Sequence, residues 1–149
     1  MTRYLVDTNV ISATVPSTAV RRTELMEWMD SHTSELFLSA VAIAEIADGI
    51  AKAKRVGAKQ KASDPSAWLR TMLHLYGDRV LPFDSPTAEI AGALADLARG
   101  RGQSPGFADI AIAATARRHG LTILSRNVRH FAPMDVAVVD PLQKLPPSG

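Results

Sequence analysis

The stretch Tyr4-Leu5-Val6-Asp7-Thr8-Asn9-Val10-Ile11-Ser12 decides how the rest of the chain is read. Three apolar residues run straight into a carboxylate, the pattern of a short buried strand that ends on a polar group. Outward from there the same unit recurs. A helical face of Val20, Leu25, Trp28 and Met29 predicts a helix from about Val20 to Ser31, and Leu36-Phe37-Leu38 reads as a second strand. Ser39 is placed to cap a helix from Val41 to about Lys54. Lys54 to Asp64 is polar and reads as a loop or frayed helix end, and Ser66 to Tyr76 is helical with Pro65 at its start. Val80-Leu81-Pro82-Phe83 predicts an edge strand, because Pro82 has no N–H to give to a ladder.

The second half repeats the alternation. Thr87 to Arg99 predicts an alanine-rich helix closed by Gly100 and Gly102. The turn Ser104-Pro105-Gly106 leads into a helix from Phe107 to His119 that stops at Gly120. Leu121 to Leu124 and Val136 to Val139 read as strands. Strands alternating with helices predict an α/β fold around a mostly parallel sheet of about five strands. Residues 1–142 read as a single domain, and 143–149 as a flexible C-terminal tail rich in proline.

Composition narrows the class. The 149 residues are 46% hydrophobic and 21% charged, ordinary for a globular chain. There is no cysteine, which removes disulfide frameworks and thiolate metal sites. Leu36 to Ala44, the longest notable uncharged apolar stretch, falls far short of the roughly 20 residues of a membrane span. The first residues lack the charged-then-apolar pattern of a secretion signal, so the expectation is a cytoplasmic protein with no membrane contact. Seventeen basic residues nearly balance fifteen acidic ones. The bases are nonetheless gathered: Lys52, Lys54, Arg55, Lys59 and Lys61 in one acid-free segment, Arg117, Arg118, Arg126 and Arg129 in another. Each segment is either a solvated face or part of a footprint for a polyanion.

Four points carry candidate chemistry. Asp7 comes directly after a strand, where α/β sheets gather ligands, and stands either as a metal ligand or nucleophile or as a helix cap. Glu45 is the lone charge in Ser39-Ala40-Val41-Ala42-Ile43-Ala44-Glu45-Ile46-Ala47, a segment otherwise fit for burial, and desolvating a lone carboxylate needs compensation. Asp48 reads as solvated. Asp109 lies in the first turn of its helix, where an acid also suits the dipole, but the uncharged run from Ile110 to Ala116 predicts a buried helix with Asp109 at its rim. The turn Ser125-Arg126-Asn127-Val128-Arg129-His130-Phe131 again comes after a strand. Asn127 brings an amide there, with Ser125, Arg126 and Arg129 suited to phosphate. Three carboxylates without cysteine make a hard-oxygen site that suits Mg²⁺ or Mn²⁺, the arrangement phosphodiester hydrolysis needs. The histidines show no HExxH spacing, and neither a GxxxxGK[ST] loop nor a GxSxG elbow is present.

Taken in order, these four segments resemble the motifs of PIN-domain ribonucleases of the VapC toxin family, over about Tyr4 to Pro141. Arg79-Val80-Leu81-Pro82-Phe83-Asp84 and Asp135-Val136-Ala137-Val138-Val139-Asp140-Pro141 are similar to the FitB branch of that family. The resemblance implies a PIN-like three-layer sandwich and a metal-dependent endoribonuclease that is the toxin of a type II toxin–antitoxin pair. It implies Asp7 and Asp109 as the principal Mg²⁺ or Mn²⁺ ligands, with Glu45 completing the cluster or orienting water. Asn127 stands at the fourth catalytic position, often acidic in relatives, and His130 where many have aspartate. Asn9, Ser125, Arg126 and Arg129 fall where substrate would bind. The partners implied are a cognate antitoxin, RNA, a second copy of the chain, and DNA only through the antitoxin. Two other readings stand beside it. A catalytically weakened module that binds RNA or antitoxin is kept open by Asn127 and His130. A haloacid-dehalogenase-type phosphatase lacks its second aspartate, since Asn9 occupies that place.

Overall fold

A computed structural model describes residues 2–14, 23–57 and 64–147. Five strands form one parallel sheet in the order β3-β2-β1-β4-β5: β1 (Tyr4–Val6), β2 (Leu36–Ser39), β3 (Val80–Leu81), β4 (Thr122–Leu124) and β5 (Val138–Val139). Every pairing is parallel, with Leu5 opposite Phe37 on one side and Ile123 on the other. Seven helices among the described residues flank it: α1 (Thr8–Ser12), α2 (Thr23–Ser31), α3 (Ala40–Arg55), α4 (Pro65–Tyr76), α5 (Ser85–Gly100), α6 (Phe107–His119) and α7 (Val128–Phe131).

The period-two alternation of strand side chains divides the interior into two cores. Leu5 and Ile123 face one, with Leu94, Ile112, Phe131 and Met134 from α5, α6 and the segment after β4. Tyr4, Val6, Leu36, Leu38 and Leu124 face the other, with Leu25, Trp28, Ile46 and Tyr76 from α2, α3 and α4. The result is the expected three-layer sandwich. Helix boundaries obey local chemistry. Ser39 accepts from Val41 N–H at 3.1 Å, Asp64 caps α4 ahead of Pro65, and Asp84 caps α5 through Thr87. Gly120 ends α6 in the left-handed region (φ +65), with Leu121 N–H closing back onto the Ala116 carbonyl. A Cβ at Gly120 would meet nothing within 4 Å. Gly120→Ala is therefore expected to cost only backbone strain, about 1 kcal/mol, readable as a drop in the urea midpoint with an unchanged slope.

The structure revises several expectations. Residues 15–22, where the sequence predicts the first helix to begin, lie outside the described residues, as do Lys59 and Lys61. The helix at Thr8–Ser12 answers the capping alternative for Asp7, though periodicity alone drew no helix there, and the edge strand stops at Leu81, before Pro82. The tail expected to be flexible is tied down through Pro146. Leu142 and Leu145 pack on the second core, and Trp28 Nε1 donates to the buried Pro146 carbonyl at 3.0 Å. A buried indole N–H needs an acceptor, and the tail supplies it. Among the described residues, no helix is long and apolar enough to cross a membrane.

Candidate functional site

The strand order reverses between β1 and β4, since the chain leaves β1 for β2 and β3 and returns to build β4 and β5 on the opposite side. Ligands of open α/β sheets bind at such a switch point, beyond the carboxyl ends of the strands. Asp7 and Ser125 occupy it, each one residue past its strand. Asp7 N–H donates to the Leu124 carbonyl at 2.9 Å, and Ser125 N–H to the Val139 carbonyl at 3.0 Å, so both are fixed by extensions of the sheet.

Asp7 is 5% exposed. Its Oδ1 accepts from Thr8 N–H at 2.8 Å, capping α1, and its Oδ2 accepts from Ser125 Oγ at 2.7 Å. The capping and functional readings of Asp7 are thus compatible. Burial raises the pKa of its carboxyl above the ordinary value, against the two hydrogen bonds, and the carboxylates of Asp109 and Glu45 push it further up. Asp7, one residue past β1, thus feels the charges of Glu45 on α3 and Asp109 on α6, and the three make one acidic group.

Glu45 is exposed, contrary to the expectation of burial. On α3 the buried side is Ala42 and Ile46, while Ala44, Glu45, Ala47 and Asp48 face solvent. Alanines on the outward face made the segment look fit for burial. Thr8 Oγ1 donates to Glu45 Oε1 at 2.8 Å, and Thr8 thus links two of the acids, a role its neighbourhood in sequence did not indicate. Asp109 lies at the rim, as expected, with its side chain 24% exposed and its Oδ2 3.2 Å from His130 Nδ1. His130 stands over an acid of the site, where the sequence pointed only to an absent carboxylate.

The residues grouped as substrate contacts separate. Ser125 is fully buried and cannot touch phosphate. Its Oγ donates to Asp7 and accepts from Asn127 N–H at 3.0 Å, with Asn9 Nδ2 at 3.4 Å. Asn9 spends its carbonyl on Arg126 N–H at 3.1 Å and so braces the turn. Asn127 is exposed and joins the network through its backbone N–H. Arg126 and Arg129 are exposed, and neither has a carboxylate partner among the described residues. Arg117 and Arg118 leave the expected footprint. The first donates to the Met134 and Asp135 carbonyls, and the second pairs with Asp84, whose carboxyl is held well below its usual range by the Thr87 hydroxyl first and by Arg118 after it.

The donor set fits a hard divalent cation. It is all carboxylate, its members repel one another, and no lysine or arginine pairs with Asp7, Glu45 or Asp109 among the described residues. The three do not close into a finished ligand group in this conformation. Glu45 and Asp109 keep soft partners, Thr8 and His130, from which each carboxylate can turn.

The PIN-domain family model matches residues 4–136. The chain is a member of the PIN-domain family. This PIN domain is 36% identical to Toxin FitB of Neisseria gonorrhoeae over 138 residues, covering 92% of the chain and 96% of that protein. It is 32% identical to the VapC ribonuclease Y4jK of Sinorhizobium fredii, with the same coverage. Among solved structures it is similar to the crystal structure of FitAcB from Neisseria gonorrhoeae, at a TM-score of 0.78 and 33% identity over 93% of this chain and 98% of that one. The matched PIN region runs through Asp7, Glu45, Asp109 and the turn after β4, so all four candidate points lie inside it.

Proposed function

We propose that this chain is a metal-dependent endoribonuclease and the toxin of a type II toxin–antitoxin pair, acting in the cytoplasm. The observation that carries it is the buried Asp7 at the sheet's switch point, electrostatically coupled to Asp109 and Glu45, with no lysine or arginine paired to any of the three among the described residues. Similarity to proteins named as a toxin and as a ribonuclease supports the same reading. Asp7 and Asp109 would be the principal holders of Mg²⁺ or Mn²⁺, with Glu45 beside them. When bound, the ion supplies a polarised phosphodiester and a more acidic water.

The chain's own residues prepare that chemistry. Ser125 and Thr8 N–H fix both oxygens of Asp7 before anything binds, which is preorganisation of the kind that lowers a barrier. Glu45 commits one oxygen to Thr8 and keeps the other for the attacking water. Asn127 donates but cannot act as a base. Arg126 and Arg129 hold the RNA backbone at the rim. The antitoxin is a small protein whose cationic side chain enters the acidic group, and the chain self-associates as a homodimer; DNA is reached only through the antitoxin.

The test is incubation of the purified chain, freed of antitoxin, with total cellular RNA in Mg²⁺, Mn²⁺ or EDTA. The expected result is cleavage at a few discrete positions with either metal and none in EDTA. Intact RNA under all three conditions, from a chain shown to be folded, would replace this reading by the weakened binding module. The pairing of His130 with Asp109 is the observation that favours that second reading.

A further inference from the structure

β5 supports the acidic group at one remove, and it is short. Its two residues form an edge of the sheet, below the usual strand length of about 3–10, so what flanks them decides whether they stay paired. Ahead of β5 the chain is anchored by arginines. Arg101 grips the Asp135 carboxylate with two bonds of 2.8 Å, and Arg117 donates to the Asp135 carbonyl at 2.9 Å. Behind β5 the anchor is the tail. The Asp140 carboxylate accepts from Leu142 N–H at 2.9 Å and turns the chain. Leu142 and Leu145 then lie on the second core beside Val139, and the Pro146 carbonyl takes the Trp28 indole N–H. That indole is fixed in a slot. Tyr4 meets it edge-on at 5.4 Å between centroids, His32 stacks on it at 4.4 Å, and His32 Nδ1 donates to the Trp28 carbonyl at 2.7 Å. Pro141 and Pro146 are both buried, and proline lowers the entropy lost in ordering such a segment.

We infer that Trp28 is a positioning residue for the acidic group, acting through residues 140–147 as a strap. Val139, the last residue of β5, accepts the Ser125 N–H on its carbonyl at 3.0 Å, and Ser125 Oγ donates to Asp7 at 2.7 Å. The strap begins one residue after that carbonyl. Loosening it at Trp28 frees the end of β5 that fixes Ser125, while the other end stays tied at Asp135. The effect on metal rests on the ribonuclease reading; the hold on Ser125 does not.

Amide hydrogen exchange separates the two ends of β5. Ile123 N–H donates to the Ala137 carbonyl at 2.9 Å, on the side of the arginine anchor, and Ser125 N–H to Val139, on the side of the strap. In the full ¹⁵N-labelled chain, Trp28→Phe keeps a ring in the slot and removes the donor, and Leu145→Asp puts a charge where the strap meets the core. The Ser125 amide should exchange about ten-fold faster in either variant, the equivalent of one lost hydrogen bond, with Ile123 near the parent's rate. Leu145→Met, which stays apolar, should behave as the parent does. Mg²⁺ affinity, read from the signal of the Thr8 amide that lies on Asp7, should fall about three-fold, less than the roughly 10–100-fold of a group that touches a ligand directly. Cleavage at saturating Mg²⁺ should stay near the parent's rate. A merely structural Trp28 would speed Ile123 and Ser125 together and leave the affinity of the folded chain unchanged. That result, or a Ser125 amide that does not respond, overturns the proposal. A parent that neither binds Mg²⁺ nor cuts RNA, with Ser125 loosened in the variants, removes the ribonuclease reading and leaves the strap. Normal cutting with Ser125 unmoved removes only the strap.

Discussion

Asp7→Asn is expected to lower metal-dependent RNA cleavage by about 10²–10³-fold or more while the protein stays folded. Asparagine has nearly the same volume as aspartate and keeps an oxygen for Thr8 N–H, so the cap of α1 survives. The charge at the centre of the acidic group is lost. The same substitution has a second signature in EDTA. The fold raises the pKa of Asp7 from an ordinary value of 3.8, through burial first and the neighbouring acids after it. The native state therefore holds this proton more tightly than the unfolded chain does. The carboxylate costs nothing well below pH 4, and stability falls as pH rises through the raised pKa. Asp7→Asn lacks that loss, so its melting temperature relative to the parent should climb as pH rises from about 4 and level off above the raised pKa. Adding Mg²⁺ reverses the order, because only the parent keeps the full ligand set; ten times Kd adds about 1.4 kcal/mol. Paired melting curves at several pH values, with and without metal, read all of this. Parent-like cutting by Asp7→Asn would sink the assignment of the site.

Ser125→Ala is expected to cost about 2 kcal/mol and to weaken metal binding and cleavage together. Ser125 Oγ is buried and serves three groups: it donates to Asp7 and accepts from Asn127 N–H and Asn9 Nδ2. Alanine fits the space but leaves a buried carboxylate with one donor in place of two, which pushes its pKa higher still. The turn after β4 loses one of its two anchors at the same stroke, keeping the Asn9 bond to Arg126 N–H. Ser125→Thr, which keeps the hydroxyl, should restore part of both losses. Denaturant unfolding with a Mg²⁺ titration of each variant separates the stability effect from the metal effect. A Ser125→Ala chain with full metal affinity would show that Asp7 does not depend on this bond.

How much of this was legible in the sequence differs by kind of interaction. Local signals were readable: Ser39 as a cap, Pro65 at a first turn, Gly120 as a stop and the strand ending at Asp7 all act within a few residues. The fold came from these and from the alternation of elements. Asp109 was readable at the rim because the alanine-rich run after it could only be buried. Glu45 was misjudged because alanine is silent about which way a helix faces. The bonds that tune the site were not readable. Ser125 meets Asp7 across 118 positions, and Thr8 meets Glu45 across 37. Arg117 and Arg118 looked like part of a nucleic-acid surface because sequence shows charge but not the carbonyls and carboxylate that claim it.

The switch point at β1 and β4 also sets when the acidic group can assemble during synthesis. Asp7 is made 118 residues ahead of Ser125, and β1 well before its neighbour β4. Synthesis at about 5–20 residues per second leaves a nascent chain several seconds with β1 lacking its neighbour on one side. Until β4 slots in, Asp7 lacks the hydroxyl that fixes its second oxygen. A still-tethered copy that stops short of β4 therefore carries all three acids without the bond that fixes Asp7 beside them.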